Sequence, residues 1–248
     1  MAKKKTYKEL NENEILESLK NQGNVNYKVQ IKCKNKKQKE FLHRLKDPNK
    51  IICFGIGSAG SGKSYISLAY ALQALQDKDS LFDKIIFLIP PLQSCSKALN
   101  IGLLPGTVDE KTSAFREADQ STMEKILQQS GNIDYKTIVN DLTKNGQIEY
   151  KLVNFIRGVT YDNCILLINE AEGYDKDEML LLLTRLGDNC KCVITGDEQQ
   201  KSRLDICNGS GMIHAKNQLV ELDEISITEF TKEDIVRNPI ISKIIEKW

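Results

Sequence analysis

Residues 57 to 64 read Gly57-Ser58-Ala59-Gly60-Ser61-Gly62-Lys63-Ser64 and complete the pattern G-x-x-x-x-G-K-[ST]. An apolar run, 51–56, precedes them, and a run of helical composition, 65–75, follows. Glycines let such a loop wrap a phosphate with its backbone N–H groups, and the start of the following helix favours an anion. The pattern therefore predicts a strand, a phosphate-binding loop and a helix, in that order.

Two side chains of this loop have chemical roles that the pattern predicts. Lys63 is expected to reach the β- and γ-phosphates of a nucleoside triphosphate and to act in catalysis, and Ser64 to place its hydroxyl on Mg²⁺. The alternative is a flexible glycine turn that matches by chance, and the strand and helix patterns on either side argue against it. The predicted nucleotide-binding residues are Gly57, Ser58, Ala59, Gly60, Ser61, Gly62, Lys63 and Ser64.

Short apolar runs alternate with helical patterns along the rest of the chain. The runs 84–89, 164–168 and 191–195 predict buried strands, and strands buried on both faces are typical of parallel sheets covered by helices. The pattern indicates an α/β domain whose ligands lie at the carboxyl edge of the sheet. Further strands are predicted at 24–32, which alternates and has one wet face, 148–155 and 225–227, and helices at 6–20, 35–45, 109–129, 176–186 and 240–248.

The charge balance and the apolar content differ between segments of the chain. Residues 1–50 hold 14 Lys and Arg against 6 Asp and Glu, whereas the remaining residues hold 21 against 28. The basic region fits a polyanion such as nucleic acid, and a solvated lysine-rich tail fits equally well. Residues 1–34 are expected to form a basic N-terminal extension and residues 35–248 one domain. Within that domain, about residues 100–150 have few apolar side chains and predict a helical insert on the surface.

The remaining composition excludes several protein classes. The seven cysteines are odd in number and none has C-x-x-C spacing, so reduced thiols are expected rather than a disulfide or zinc framework. No apolar stretch approaches 18 residues, which predicts no membrane span and a cytoplasmic protein.

Polar residues follow two of the predicted strands. A nucleoside triphosphatase needs a carboxylate at the end of a neighbouring strand to hold the water shell of Mg²⁺, and often a second one to orient the attacking water. Glu170 fits the water-orienting role, while Asn169 stands where an aspartate is expected and offers only an amide oxygen to the metal. The next strand ends in Gly196-Asp197-Glu198-Gln199-Gln200, whose polar groups can sense the γ-phosphate.

These motifs, in this order, resemble the PhoH family of P-loop ATPases, which are related to the motor core of superfamily-one helicases. The resemblance covers about residues 34–248. Its carriers are Asn35-Lys36-Lys37-Gln38, the phosphate loop, Ile101-Gly102-Leu103-Leu104-Pro105-Gly106, Ile156-Arg157-Gly158-Val159-Thr160, Asn169-Glu170-Ala171-Glu172, Leu183-Thr184-Arg185-Leu186-Gly187, Thr195-Gly196-Asp197 through Gln200, and Asp234-Ile235-Val236-Arg237-Asn238-Pro239.

The resemblance implies a RecA-like P-loop NTPase core that binds ATP with Mg²⁺. It implies adenine contact by Gln38, nucleotide contact by Asp197, a γ-phosphate sensor at Gln200 and a catalytic arginine at Arg237. An arginine of this kind can come from a neighbouring subunit. We therefore expect a homo-oligomer, for which a hexameric ring is one candidate, and single-stranded nucleic acid as the partner, RNA in preference to DNA.

Two departures from the family keep other functions open. Asn169 replaces the expected aspartate, and Glu172 replaces a glutamine. The first departure weakens metal binding, so an ATP-binding switch with little hydrolysis is an alternative to an ATPase. A small-molecule kinase is a further alternative, because the same loop serves phosphoryl transfer to metabolites.

Overall fold

The computed structural model describes residues 25–90, 108–198 and 209–236, without the side chains of 108–112 and 114. The predicted helices 6–20 and 240–248, the segment 101–106, Gln200 and Arg237 lie outside the described residues. No helix in the described part of the chain is long and apolar enough to cross a membrane.

The described chain is built on one six-stranded sheet in which every pair of neighbouring strands is parallel. The strand order is β3-β2-β4-β5-β1-β6, so the strand before the phosphate loop has neighbours on both sides. This confirms the predicted α/β fold with a parallel sheet. The strands are β1 (Ile52–Gly57), β2 (Lys84–Ile89), β3 (Ile148–Leu152), β4 (Cys164–Ile168), β5 (Cys190–Gly196) and β6 (Ile225–Phe230).

Helices cover both faces of the sheet, and the alternation of side chains along the strands divides the core into two layers. Cys53, Ile165 and Val193 face the layer under α1 to α4, whereas Phe54 and Leu166 face the layer under α5 and α6. The helices are α1 (Lys36–Lys46), α2 (Lys63–Gln76), α3 (Val108–Gln129), α4 (Tyr135–Lys144), α5 (Lys176–Leu183) and α6 (Gly211–Leu219).

Local signals fix several helix ends. The Asn35 side chain accepts a hydrogen bond from the Gln38 N–H (2.8 Å), which begins α1. Asp175 and Glu178 form a reciprocal capping box at the start of α5. This helix ends at Leu183, before the predicted position 186, because the Arg185 N–H donates to the Leu182 carbonyl (3.0 Å) and the Gly187 N–H donates to the Tyr161 carbonyl (3.0 Å) rather than to the preceding turn.

Residues 108–144 contain two helices, but the surface location expected for this segment is wrong for several of its side chains. Met123, Ile126 and Leu127 of α3 are fully buried, and Val139 and Leu142 of α4 join them in the core. The low apolar content of the segment led to the prediction of a surface location. That prediction is wrong because the few apolar side chains lie on the helix faces that join the core. The insert is therefore part of the wall beside the carboxyl edge of the sheet.

Residues 25–34 keep the predicted alternation of buried and exposed side chains but form no strand. Their backbone N–H groups find side chains instead: Lys28 donates to Asn132 Oδ1 (3.0 Å) and Gln30 donates to Ser130 Oγ (2.9 Å). Tyr27 is buried, and its hydroxyl donates to the Leu72 carbonyl in α2 (2.9 Å). This part of the predicted N-terminal extension therefore packs on the core.

Candidate functional site

A cavity of about 590 Å³ lies at the carboxyl ends of β1 and β5, and Glu170 lines it from beyond the end of β4. This is the edge at which parallel α/β sheets bind ligands. Its walls carry four lysines and a run of oxygen-bearing side chains, a composition that suits an anionic ligand with a cation. It is lined by Lys32, Lys34, Gln38, Ala59, Gly60, Gly62, Lys63, Ser64, Tyr65, Thr122, Lys125, Gln129, Glu170, Thr195, Gly196, Asp197 and Val236.

Two glycines of the phosphate loop, Gly57 and Gly62, combine a positive φ with a close contact that a side chain would block. Gly57 has φ +141° and lies so close to the Phe230 carbonyl that a Cβ would overlap it. Gly62 has φ +89°, and a Cβ there would lie 2.6 Å from Gln38 Nε2. Gly62 also caps α2 without any side-chain hydrogen bond, which leaves the start of this helix open to an anion.

Lys63 is buried at the start of α2, and its ammonium group lies within the loop. Its Nζ donates to the carbonyl oxygens of Gly57 and Ser58, the second at 3.0 Å. A buried ammonium held by carbonyls in this way keeps its position while offering a positive charge to a phosphate.

Gln38 and Asp197 hold the loop through two different residues of it. Gln38 Nε2 donates to the Ser61 carbonyl (2.8 Å), while its Oε1 accepts the Lys34 N–H (2.7 Å). Asp197 Oδ2 accepts the Ala59 N–H (3.1 Å). Both side chains line the cavity and both are buried, so each fixes the loop and also faces the cavity.

A chain of hydrogen bonds runs from the loop to the end of β4. Ser64 Oγ lies 3.4 Å from Thr195 Oγ1, and the Thr195 hydroxyl donates to Asn169 Oδ1 (2.9 Å). Asn169 Nδ2 then donates to Asp119 Oδ1 of α3 (3.0 Å). The structure thus brings together Ser64 and Asn169, the two predicted metal residues, through a threonine to which the sequence assigned no role.

Asp119 is the residue that sequence reasoning missed completely. Burial raises its pKa to about 7; the Asn169 hydrogen bond opposes this change, and the nearby Glu170 adds to it. It lines a second cavity of about 370 Å³, which shares Ser64 and Glu170 with the first. No local motif marks it, because it lies in the middle of a polar helix.

Glu170 follows Asn169 with a left-handed backbone, φ +51°, and its exposed side chain lines both cavities. Glu172 lies behind it, and its Oε2 accepts the Asp197 N–H (3.0 Å). Burial first, and then a hydrogen bond with Glu170, raise the pKa of Glu172 to about 7. Glu170 is therefore the carboxylate of this pair that faces the cavity.

The last described residues also reach the loop. The Val236 N–H donates to the Gly60 carbonyl (3.1 Å), and Val236 lines the cavity. Arg237 is the next residue along the chain and lies outside the described residues, as does Gln200. Their predicted roles stay predictions.

The donor set fits Mg²⁺ with a nucleoside triphosphate. The oxygens of Ser64, Thr195, Asn169 and Asp119 are hard donors, which Mg²⁺ prefers. In the described residues no group of three or more His, Cys, Asp or Glu side chains could hold a metal by itself. Mg²⁺ sites of P-loop proteins take one or two protein ligands and complete the shell with phosphates and water, so a sparse set is the expected one. The residues that would hold the ion are Ser64 and Asn169, with Asp119 beside them.

Comparisons of the sequence with known proteins match one family. A family model described as PhoH-like protein matches residues 30–248. The chain is 32% identical over 220 residues to a PhoH-like protein of Bacillus subtilis (strain 168). These 220 residues are 88% of this chain and 64% of that protein. It is 31% identical to a PhoH-like protein of Mycobacterium tuberculosis (strain H37Rv) and 29% identical to Protein PhoH of Escherichia coli (strain K12), in each case over 88% of this chain and 58% of the relative. The chain therefore spans about three fifths of the length of these relatives. Because the family model matches most of its length, the chain belongs to the family of PhoH-like proteins.

Proposed function

We propose that the chain binds ATP with Mg²⁺ and hydrolyses it, and that hydrolysis is coupled to single-stranded nucleic acid. One observation carries the proposal: Lys63, the open start of α2, Ser64 and Thr195 converge on one cavity with a solvent-facing carboxylate, Glu170, and the Thr195 hydroxyl donates onward to Asn169. Family membership supports a P-loop NTPase, and the geometry supports the roles of its residues.

The proposed mechanism assigns each residue a task. The loop backbone and Lys63 bind the phosphates, and Asp197 and Gln38 hold the loop in place. Glu170 orients the attacking water from the end of β4. Mg²⁺, when bound with the nucleotide, neutralises charge that develops on the phosphates. Gln200 and Arg237 are proposed as γ-phosphate sensor and catalytic arginine, the latter from a neighbouring subunit of a homo-oligomer.

Lys63→Ala tests the nucleotide half of the proposal. Loss of a buried charge-assisted contact to phosphate is expected to abolish measurable phosphate release and to weaken ATP binding at least about tenfold, or about 1.4 kcal/mol. Lys78→Ala is the matched control, because Lys78 is exposed, follows the far end of α2 and does not line the cavity. Equal ATP binding in the two variants would overturn the proposal.

The nucleic-acid half is supported by exposed lysines near the cavity. Lys36 and Lys39 of α1 are exposed and lie outside the cavity lining. Reversing both charges is expected to weaken binding of single-stranded RNA and to reduce the slope of log K against log salt by about 1.4, at about 0.7 per phosphate contact. Lys144→Glu, an exposed lysine of α4, is the control. Phosphate release that does not respond to RNA or DNA would contradict the coupling.

An ATP-binding switch is the second candidate, and Asn169 is the observation that favours it. Its neutral amide stands at the strand end where a carboxylate would strengthen metal binding. If the missing charge limits turnover, Asn169→Asp should raise phosphate release sharply. Unchanged or lower release in this variant would count against the switch.

A further inference from the structure

The carboxylate of Asp119 approaches the end of β4 from a different element of the fold. It belongs to α3, in the segment predicted as an insert, yet its Oδ1 lies 3.0 Å from Asn169 Nδ2. This helix is fixed against the sheet by two contacts that flank Asp119. The Arg116 guanidinium lies 5.5 Å from the centre of the Tyr150 ring, and Met123 is fully buried one turn further on. The position of Asp119 is therefore set by packing.

The charge of Asp119 has no counterion in the described part of the chain. No described lysine or arginine forms a salt bridge with it. A half-buried carboxylate with only an amide as its partner is costly for stability, and such groups cluster at sites that bind cations or perform chemistry. The cavity that it lines opens onto Ser64 and Glu170, the residues proposed to face the metal and the water.

The Asn169 amide suits a position beside Asp119 because its oxygen and its nitrogen bond to different partners. Its Oδ1 accepts from Thr195 and its Nδ2 donates to Asp119. An aspartate at 169 could not donate, and it would place two carboxylates about 3 Å apart, where they repel each other. The exchange of aspartate for asparagine at the strand end and the presence of Asp119 therefore explain each other.

We propose that Asp119 supplies, from α3, the carboxylate that the end of β4 lacks, and that Asp119 and Asn169 act as one unit toward the divalent cation bound with the nucleotide. This inference rests on the proposed ATP and Mg²⁺ binding. Asn169 provides the neutral oxygen near Ser64 and Thr195, and Asp119 provides the negative charge behind it.

The test is the effect of Mg²⁺ on nucleotide affinity, measured by calorimetry with a non-hydrolysable ATP analogue in EDTA and in excess Mg²⁺. Asp119→Asn keeps the size of the side chain and an oxygen that can accept from Asn169, so it removes only the charge. We expect wild type and Asp119→Asn to bind equally in EDTA, and the variant to lose at least about tenfold of the affinity gained from Mg²⁺. Glu117→Gln, an exposed change on the same helix, should retain the full gain.

The double variant Asp119→Asn/Asn169→Asp separates a metal-directed charge from a structural contact. It moves the carboxylate to the strand end and leaves an amide on α3, so it should recover most of the Mg²⁺ effect. Binding of Mn²⁺ to the protein–analogue complex, followed by electron paramagnetic resonance, should fall in Asp119→Asn and return in the double variant. Asn169→Asp alone should gain no Mg²⁺ affinity, because its new charge lies beside Asp119.

Two outcomes would overturn the inference: an unchanged Mg²⁺ effect in Asp119→Asn, or a double variant that folds and binds in EDTA but does not recover. Wild-type protein that binds no nucleotide in either buffer would overturn the proposed function as well. If the wild type binds the ATP analogue in EDTA and Lys63→Ala does not, the proposed nucleotide binding is supported whatever the result for Asp119→Asn. The two failures are thus distinguishable.

Discussion

Replacing Tyr27 tests whether residues 25–34 are part of the folded core. Its ring is 4% exposed, and its hydroxyl donates to the Leu72 carbonyl within α2. Tyr27→Phe removes one buried hydrogen bond and leaves a carbonyl that lies in the middle of a helix, so the free energy of unfolding should fall by about 1 kcal/mol. Tyr27→Ala also removes a buried ring and should cost about 3–5 kcal/mol.

Urea or thermal unfolding followed by circular dichroism measures both losses. For a chain of this length, about 1 kcal/mol corresponds to about 2–4 °C in Tm. Lys28→Ala is the control, because the Lys28 side chain is exposed and its hydrogen bonds to Asn132 are made by its backbone N–H and carbonyl; a change within about 0.5 kcal/mol is expected. If Tyr27→Ala unfolds like Lys28→Ala, residues 25–34 do not stabilise the fold and the packing described for them is refuted.

Three further predictions concern Gln38, Thr195 and the pH dependence of Tyr27. Gln38→Ala should weaken binding of ATP and GTP analogues equally if Gln38 acts through Ser61, whereas a selective loss of ATP binding would show that it contacts adenine. Thr195→Val removes the hydroxyl between Ser64 and Asn169 and should reduce the Mg²⁺-dependent gain in affinity but leave binding in EDTA unchanged; equal loss in both buffers would contradict this. Burial raises the pKa of the Tyr27 hydroxyl, so the stabilisation that the protonated hydroxyl provides is complete below pH about 10 and is lost as the pH rises further. The free energy of unfolding of Tyr27→Phe should therefore decline less steeply at alkaline pH than that of the wild type. Parallel declines in the two proteins would refute this.

Local patterns were sufficient to predict the phosphate loop, the buried strands and the strand end at Asn169. Strand, loop and helix signals are short-range, and the carboxyl ends of parallel strands necessarily meet at one edge of the sheet. These facts place Ser64, Asn169 and Asp197 at one edge of the sheet, where Ser64 lines both cavities, Asp197 the first and Asn169 the second.

Asp119 could not be predicted, because its role depends on tertiary packing. It lies 50 residues before Asn169 in a helix whose apolar side chains are few, and tertiary contacts hold that helix beside the sheet: the burial of Met123 and Ile126 and the Arg116–Tyr150 contact. The prediction of a strand at 24–32 failed in a different way. It predicted which side chains are buried but not their partners, since Asn132 and Ser130 side chains replace a neighbouring strand.

Glu170 has a left-handed backbone, φ +51°, which glycine adopts without the steric cost of about 1–2 kcal/mol that other residues incur. Glu170→Gly should therefore raise the melting temperature while it removes the side chain proposed to orient water. A directed-evolution screen that selects this protein for heat tolerance alone would favour loss of that side chain. Stabilised variants intended to retain the proposed hydrolysis should keep Glu170 and take their stabilising changes at other positions.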